Sequence, residues 1–339
     1  MVELPGELRG IAAQRVGQSL GIGAKFRLDA LLDIGGMAAV YAATHRNGKK
    51  VAIKVLHKHY AGMPDVKERF LREGYVANKV DHRGAVQILD DDIAEDGTPF
   101  LVMELLLGSS FDKLLRSVGG KLPALEVLAL GDQVLDVLDA FHKEAIVHRD
   151  IKPANLFVLK QGVVKVLDFG LARVRDSSIA GSPTASGTII GTASYMAPEQ
   201  AQGKSDIDAR TDIFAVGAVM YEALAGHGVH EGRTPMDRLM SAMRVPPKAL
   251  SLSAPGLPPK VCDLVDTALR FERQERWPNA QAMRTAIRRA SVELKTMPAR
   301  SLPPPVPVST SAPGAGDDEL LEPSTIVEVS FGTFEALKK

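Results

Sequence analysis

Apolar residues change their period once along this chain, and that change constrains the fold more than any other feature. Before residue 105 they fall into short segments bounded by turn residues, and after Gly108 they recur at helical spacing. Phe26, Leu28, Ala30 and Leu32 alternate with Arg27, Asp29 and Leu31, an imperfect strand period. Val40–Ala42, Val51–Leu56, Val86–Ile93 and Phe100–Leu105 continue as strands, with turn signals at Asn47-Gly48 and Glu95-Asp96-Gly97. A helix is predicted from about Asp65 to Lys79. This front part reads as a small, mostly antiparallel sheet carrying one helix.

In the second part, Val127, Leu130, Val134, Val137, Leu138 and Phe141 lie on one face of a long amphipathic helix. Short apolar strands, Leu156–Leu159 and Val163–Leu167, flank a turn at Gln161-Gly162. Ile213–Tyr221 reads as a buried helix, with Val261–Arg270 and Ala280–Val292 as later ones. The expected fold class is α+β, with a β-rich lobe over about 26–107 and a larger α-rich lobe over about 108–291. Residues 1–25 read as an arm. Residues 292–339 read as a tail that becomes proline-rich beyond Pro298, extended or disordered because it cannot form a packed core.

Composition narrows the partners. The 41 Lys and Arg residues balance 41 Asp and Glu residues, so no global charge draws nucleic acid or an anionic membrane. Cys262 is the single cysteine, which fits a reducing compartment. No apolar run approaches the ~20 residues that span a bilayer, and the first residues lack a secretory layout. The expectation is a cytoplasmic protein with no membrane span and no nucleic-acid partner.

Five separated segments carry chemistry. The turn Asp33-Ile34-Gly35-Gly36-Met37-Ala38 precedes Val40 between two strands, and small residues there let backbone amides approach a polyphosphate. Val51-Ala52-Ile53-Lys54 puts a lysine on a strand, with Glu73 on the following helix as its carboxylate partner. His148-Arg149-Asp150-Ile151-Lys152-Pro153-Ala154-Asn155 gathers an acid, a base and an amide in a loop between helix and strand. There Asp150 can accept the proton of an attacking hydroxyl, Lys152 can neutralise charge and Asn155 can ligate Mg²⁺. Asp168-Phe169-Gly170 ends an apolar strand with a carboxylate suited to a phosphate-bridging metal. Gly191-Thr192 and Ala197-Pro198-Glu199 close a segment rich in Ser and Thr. Taken singly, each is an ordinary hairpin, charge pair or polar loop; their order and spacing make the set specific.

Together these segments resemble the Hanks-type, or eukaryotic-like, protein kinases, and in particular their bacterial serine/threonine branch. The resemblance spans about residues 26–291. It implies the two-lobed kinase fold and transfer of the ATP γ-phosphate to Ser or Thr of protein substrates. It implies that Lys54 holds the α- and β-phosphates and pairs with Glu73, and that Asp150 is the base with Lys152 on the γ-phosphate. Asn155 and Asp168 would hold Mg²⁺, or Mn²⁺ in its place. Val40, Ala52 and Phe157 would enclose the adenine, Met103 would back the pocket, and Glu104–Leu106 would form the hinge. Lys152 with Thr192 is the serine/threonine arrangement. Arg149 implies switching by phosphorylation, with Thr184 and Ser186, then Thr188, as acceptors. Structural roles fall to His148 and Phe169 in the core, to a Glu199–Arg276 pair, and to Asp212 bracing the catalytic loop.

The nucleotide turn departs from the family's Gly-x-Gly-x-x-Gly, reading Asp33, Gly35 and Ala38 at the three places. The added side chain and charge at Asp33 imply weaker ATP affinity with the chemistry retained. Two other classes stay open at this point: a pseudokinase that signals by binding, and a small-molecule phosphotransferase on a related fold. The proline-rich tail is of a kind that docks in a partner domain or stays disordered. Autophosphorylation between two copies would need a transient dimer.

Overall fold

The computed structural model describes residues 5–168 and 193–296, with side chains from Leu8 onward in the first helix. Two lobes meet at Leu107-Gly108. The small lobe is a six-stranded antiparallel sheet. Its strands are β1 (Ser19–Leu20), β2 (Phe26–Ile34), β3 (Ala38–His45), β4 (Lys50–Leu56), β5 (Ile88–Ile93) and β6 (Pro99–Glu104). They lie in the order β1-β2-β3-β4-β6-β5. Helices α1 (Pro5–Ala13), α2 (Lys58–Ala61) and α3 (Pro64–Ala77) accompany it.

The register assigns each face of the sheet a task. Directly opposed residues in an antiparallel pair share a face, and alternate residues along a strand do too. Tyr41, Ile53 and Val102 stand opposite one another on one face. Together with Val51, Val55 and Phe100 they form a buried cluster that also takes in Ala12 of α1. The other face carries Ala38, Val40, Ala52, Lys54, Leu56, Leu101 and Met103. Its far end packs under α3, where Ala38, Leu56 and Leu101 surround Phe70. Its near end is left for the cleft.

Two segments show detail that the sequence pattern did not. The first 25 residues, read as an arm, hold α1 and β1: Ala12 is buried, and its carbonyl accepts a hydrogen bond from the Tyr41 hydroxyl at 2.9 Å. In β2 the alternation breaks. The register shifts between Leu28 and Ala30 and again between Leu31 and Asp33, which are bulges. An extra residue reverses the in-out phase, so Leu31 packs on the core while Leu32 is exposed.

The large lobe is built on two helices. Helix α5 (Ala124–Lys143), preceded by α4 (Phe111–Ser117), buries Val127, Leu130, Val134, Val137, Leu138 and Phe141, the stripe its spacing specifies. Past Pro198–Ala201 (α6), helix α7 (Arg210–Ala225) is buried on every side from Thr211 to Tyr221. Helix α8 (Pro235–Arg244), α9 (Leu250–Ser253), α10 (Pro259–Ala268) and α11 (Ala280–Thr296) follow among the described residues. Among the described residues no helix is long and apolar enough to cross a membrane.

A three-stranded sheet of β7 (Gly108–Ser110), β8 (Leu156–Leu159) and β9 (Val164–Val166) roofs this lobe next to the hinge. Gly108 runs so close to β8 that a Cβ there would lie 2.1 Å from the Val158 carbonyl oxygen. Only glycine fits against that backbone. Gly108→Ala is therefore expected to cost about 1–3 kcal/mol, read as a lower urea midpoint with an unchanged slope. An unchanged midpoint would contradict the close approach.

Candidate active site

The cleft face of the sheet presents Lys54, and the large lobe answers with a carboxylate. The Lys54 amine donates to Asp168 Oδ1 at 2.6 Å and stands 3.9 Å from Glu73 Oε2 on α3. Burial alone would lower the lysine pKa, but the two carboxylates outweigh it and raise it above its ordinary value. Burial would likewise raise that of Asp168, and the Lys54 ammonium more than offsets this and holds it down. Both groups are therefore charged at neutral pH. Asp168 keeps half of its side chain accessible to solvent (52 %).

Below it lies the loop after α5. Asp150 is almost buried, and its Oδ2 accepts from Lys152 Nζ at 3.0 Å and from Asn155 Nδ2 at 3.1 Å. The Asn155 amide also donates to the Asp150 carbonyl at 2.8 Å. These bonds use the amide nitrogen and orient its oxygen separately. A tight helical turn at Pro153–Asn155 brings the two side chains together.

His148 ties this loop to Asp168. Its Nδ1 accepts the Asp150 backbone N–H at 3.2 Å, so its proton sits on Nε2, which donates to the Leu167 carbonyl at 3.0 Å. The Leu167 N–H in turn donates to the Asn155 carbonyl at 2.8 Å. The residue before Asp168 is thereby held on both sides of its backbone. Burial holds His148 below its ordinary pKa, and it is neutral. The sequence marked it only as a core residue; alternating polar and apolar residues do not reveal which ring nitrogen bonds to what.

Asp212 braces the same loop from the first turn of α7. One oxygen accepts the His148 N–H at 2.8 Å and the other the Arg149 N–H at 2.8 Å, with the His142 ring 2.8 Å away. Arg149 sits at φ +67° and Asp168 at φ +48°, in the left-handed region that side chains rarely adopt. Such conformations cost about 1–3 kcal/mol each and persist where surrounding bonds impose them. Here those bonds are the ones from Asp212 and around Leu167.

At the base of the lobe Arg276 forks onto Glu199, with two bonds of 2.7 Å, and bonds the carbonyls of Arg270, Phe271 and Arg210. Glu199 also accepts from the Thr211 hydroxyl at 2.8 Å. Burial would raise its pKa, yet Arg276 keeps it low.

The remaining sequence candidates divide. Val40, Ala52 and Met103 share the Lys54 face of the sheet, and Phe157 lies on β8 of the other lobe. Asp33 is exposed and opposite Val40, so its charge stands beside the glycine turn Ile34–Met37. Ala38 needs no glycine: its methyl packs with Leu56, Phe70 and Leu101, and its φ is not positive. At the hinge, Glu104 has a side-chain role that its place in the sequence did not suggest. Its Oε1 accepts Lys165 Nζ at 2.6 Å and the Gln87 N–H at 2.9 Å, and Lys165 also bonds the Ala85 carbonyl. The signal was a lone lysine in the apolar run of β9. Leu106 is partly buried beside Leu107. Phe169, Gly170, Thr184, Ser186, Thr188, Thr192 and the tail from 297 lie outside the described residues.

The donor set suits a hard divalent cation. Asp168 offers a partly exposed carboxylate and Asn155 an amide oxygen, and among the described residues no group of three or more His, Cys, Asp or Glu forms a cage. A hard divalent cation held by one or two protein oxygens takes its remaining oxygen ligands from outside the protein.

Comparison with known proteins identifies the family. Residues 26–286 match the model of the protein kinase domain. The chain is similar to the serine/threonine-protein kinase PksC of Streptomyces coelicolor, 36% identical over 302 residues, covering 87% of this chain and 53% of that protein. It is 36% identical to Pkn1 of Myxococcus xanthus over 284 residues, covering 82% and 40%. PknA of Mycobacterium tuberculosis is 33% identical over 310 residues, covering 88% and 70%. The chain thus spans about half the length of PksC and less of Pkn1. In structure it is similar to the kinase domain of PknI from Mycobacterium tuberculosis, with a TM-score of 0.61 at 24% identity, covering 81% of this chain and 98% of that one. That likeness concerns the fold.

Two expectations follow from the buried charges. Removing one partner of a buried pair strands the other, so Arg276→Met is expected to lose about 3–5 kcal/mol in denaturant unfolding. Stability is also expected to fall with acid in a set order. Unfolded His148 takes up a proton that the folded protein refuses, so loss begins as pH drops below its ordinary 6.5. Glu199 and Asp212, both held low, contribute stability that is present above their ordinary 4.5 and 3.8 and is lost as pH falls further. A melting temperature that stays level below pH 6.5 would contradict the neutral state assigned to His148.

Proposed function

The chain belongs to the protein kinase family, whose members use ATP and a divalent metal, and on that premise we propose that it is an active serine/threonine kinase of protein substrates. The observation that carries this reading is the ion pair across the cleft. Lys54 from the small lobe meets Asp168 from the large lobe at 2.6 Å, beside a loop holding Asp150, Lys152 and Asn155.

In this reading Asp150 is the base. Its carboxylate accepts the proton of the substrate hydroxyl as that oxygen attacks the γ-phosphorus and the bond to the bridging oxygen of ADP breaks. Lys152, 3.0 Å from the same carboxylate, is placed to neutralise charge on the moving phosphoryl group. Asp168 and Asn155 would hold Mg²⁺, which neutralises the phosphates and fixes their geometry; Mn²⁺ suits the same oxygens. Lys54 would orient the α- and β-phosphates, with Glu73 behind it. The face bearing Val40, Ala52 and Met103 would cover the adenine against Phe157, with the hinge from Glu104 to Leu106 at its edge.

We assign a regulatory role to Arg149. Its Nε is buried without a partner among the described residues, and it neighbours the base. A phosphate on Thr184, Ser186 or Thr188 would supply an anion for it. Autophosphorylation of these residues between two transiently paired copies fits that arrangement.

Asp150→Asn keeps the shape and removes the base, so transfer of label from ATP is expected to fall about a hundredfold to ten-thousandfold. Nucleotide binding should change little. Equal incorporation by the variant and the wild type would remove Asp150 from the role. Nucleotide binding with no transfer by the wild type onto itself or a basic protein would favour the pseudokinase reading.

A further inference from the structure

Near the nucleotide turn, one side chain outside every role above makes a specific contact. His57 follows β4, three residues beyond Lys54. Its backbone N–H donates to the Met37 carbonyl at 2.9 Å, and its Nε2 lies 2.8 Å from the Gly35 carbonyl oxygen. A carbonyl only accepts, so the ring donates from Nε2. The turn itself is closed by the Gly35 N–H on the Ala38 carbonyl at 2.8 Å. One residue therefore grips the Gly35–Ala38 turn at two carbonyls.

The grip is itself supported. The His57 ring stacks on His59 with centroids 5.8 Å apart, and His59 lies 4.0 Å from the Tyr60 ring. Tyr60 packs on the cluster of Ala38, Leu56, Phe70 and Leu101, below the helix that bears Glu73. The imidazole is thus anchored to the end of the turn and to α3.

We propose that His57 is a positioning residue for the nucleotide, pinning the phosphate-binding turn to the strand that carries Lys54. The proposal rests on the kinase reading above. A turn containing Gly35-Gly36 samples more backbone conformations than any other pair of residues would. A ligand that needs one of them binds more weakly by the fraction of time it is populated. A trans peptide points its C=O and the next N–H to opposite sides. Holding the Gly35 carbonyl on His57 therefore fixes the Gly36 N–H on the side away from the ring, available to a phosphate oxygen. The same restraint offsets part of what Asp33 costs beside the turn. Lys54 and the turn move as one body, so phosphates contacted by both meet them at a constant separation.

The test compares wild type, His57→Ala and His57→Gln in the full chain, measuring KM for ATP, kcat, ADP affinity and melting temperature. Gln carries a donor that can still reach a carbonyl. His57→Ala is expected to raise KM for ATP and weaken ADP binding about fivefold, the worth of one hydrogen bond, with kcat within about twofold. His57→Gln should recover most of the loss. A histidine that merely supports the fold would lower melting temperature and leave KM alone. Unchanged KM and ADP affinity in His57→Ala, or a Gln variant as weak as the Ala variant, would overturn the proposal. ADP binding separates the two readings: a wild type that binds ADP without transferring phosphate fails as a kinase but still tests the grip. A wild type that binds no nucleotide sinks both.

Discussion

Everything at the cleft depends on holding like and unlike charges at fixed places. Asp212 does most of this holding. It is fully buried at the first turn of a helix that is itself buried, where the helix dipole favours an anion. Its two oxygens take consecutive backbone amides of the loop, from His148 and Arg149. Those bonds impose the unusual backbone at Arg149, and that backbone turns Asp150 toward Lys152 and Asn155. Burial would raise the Asp212 pKa, and His142 with the loop amides reverses the sign.

From this support the order passes through His148 to the small lobe. A neutral imidazole links the Asp150 amide to the Leu167 carbonyl, and Asp168 follows directly. Asp168 then reaches Lys54 across the gap between the lobes. Lys165 and Glu104 add a second link, joining β9 of the large lobe to the hinge and to the Ala85 and Gln87 backbone. A side chain that makes two such bonds transmits position because its rotamer is no longer free. The cleft is assembled by short chains of hydrogen bonds, each ending on a charge.

Much of this was legible in advance. The stripe of α5 and the two faces of β4 follow from period, and the pairing of Glu199 with Arg276 from the resemblance to the kinase family. The phase of β2 was not legible, since bulges erase the alternation and exchange Leu31 for Leu32. Of the described side chains in α1 only Ala12 is buried, so its pattern shows no broad apolar face. Asp33 and Ala38 look alike as departures from a glycine pattern. Only the sheet register separates them, placing one beside the turn and the other's methyl beneath it.

Sequence by itself determined which groups exist and on which element each lies: a lysine on a strand, an acid and an amide in one loop, a carboxylate at a strand end. These are local properties of spacing and residue type. Tertiary structure alone decided that Lys54 lies 2.6 Å from Asp168, that His148 carries its proton on Nε2, and that His57 closes on the Gly35 carbonyl. Such bonds join residues far apart in the chain, and their lengths depend on how two lobes pack. No local period encodes that packing.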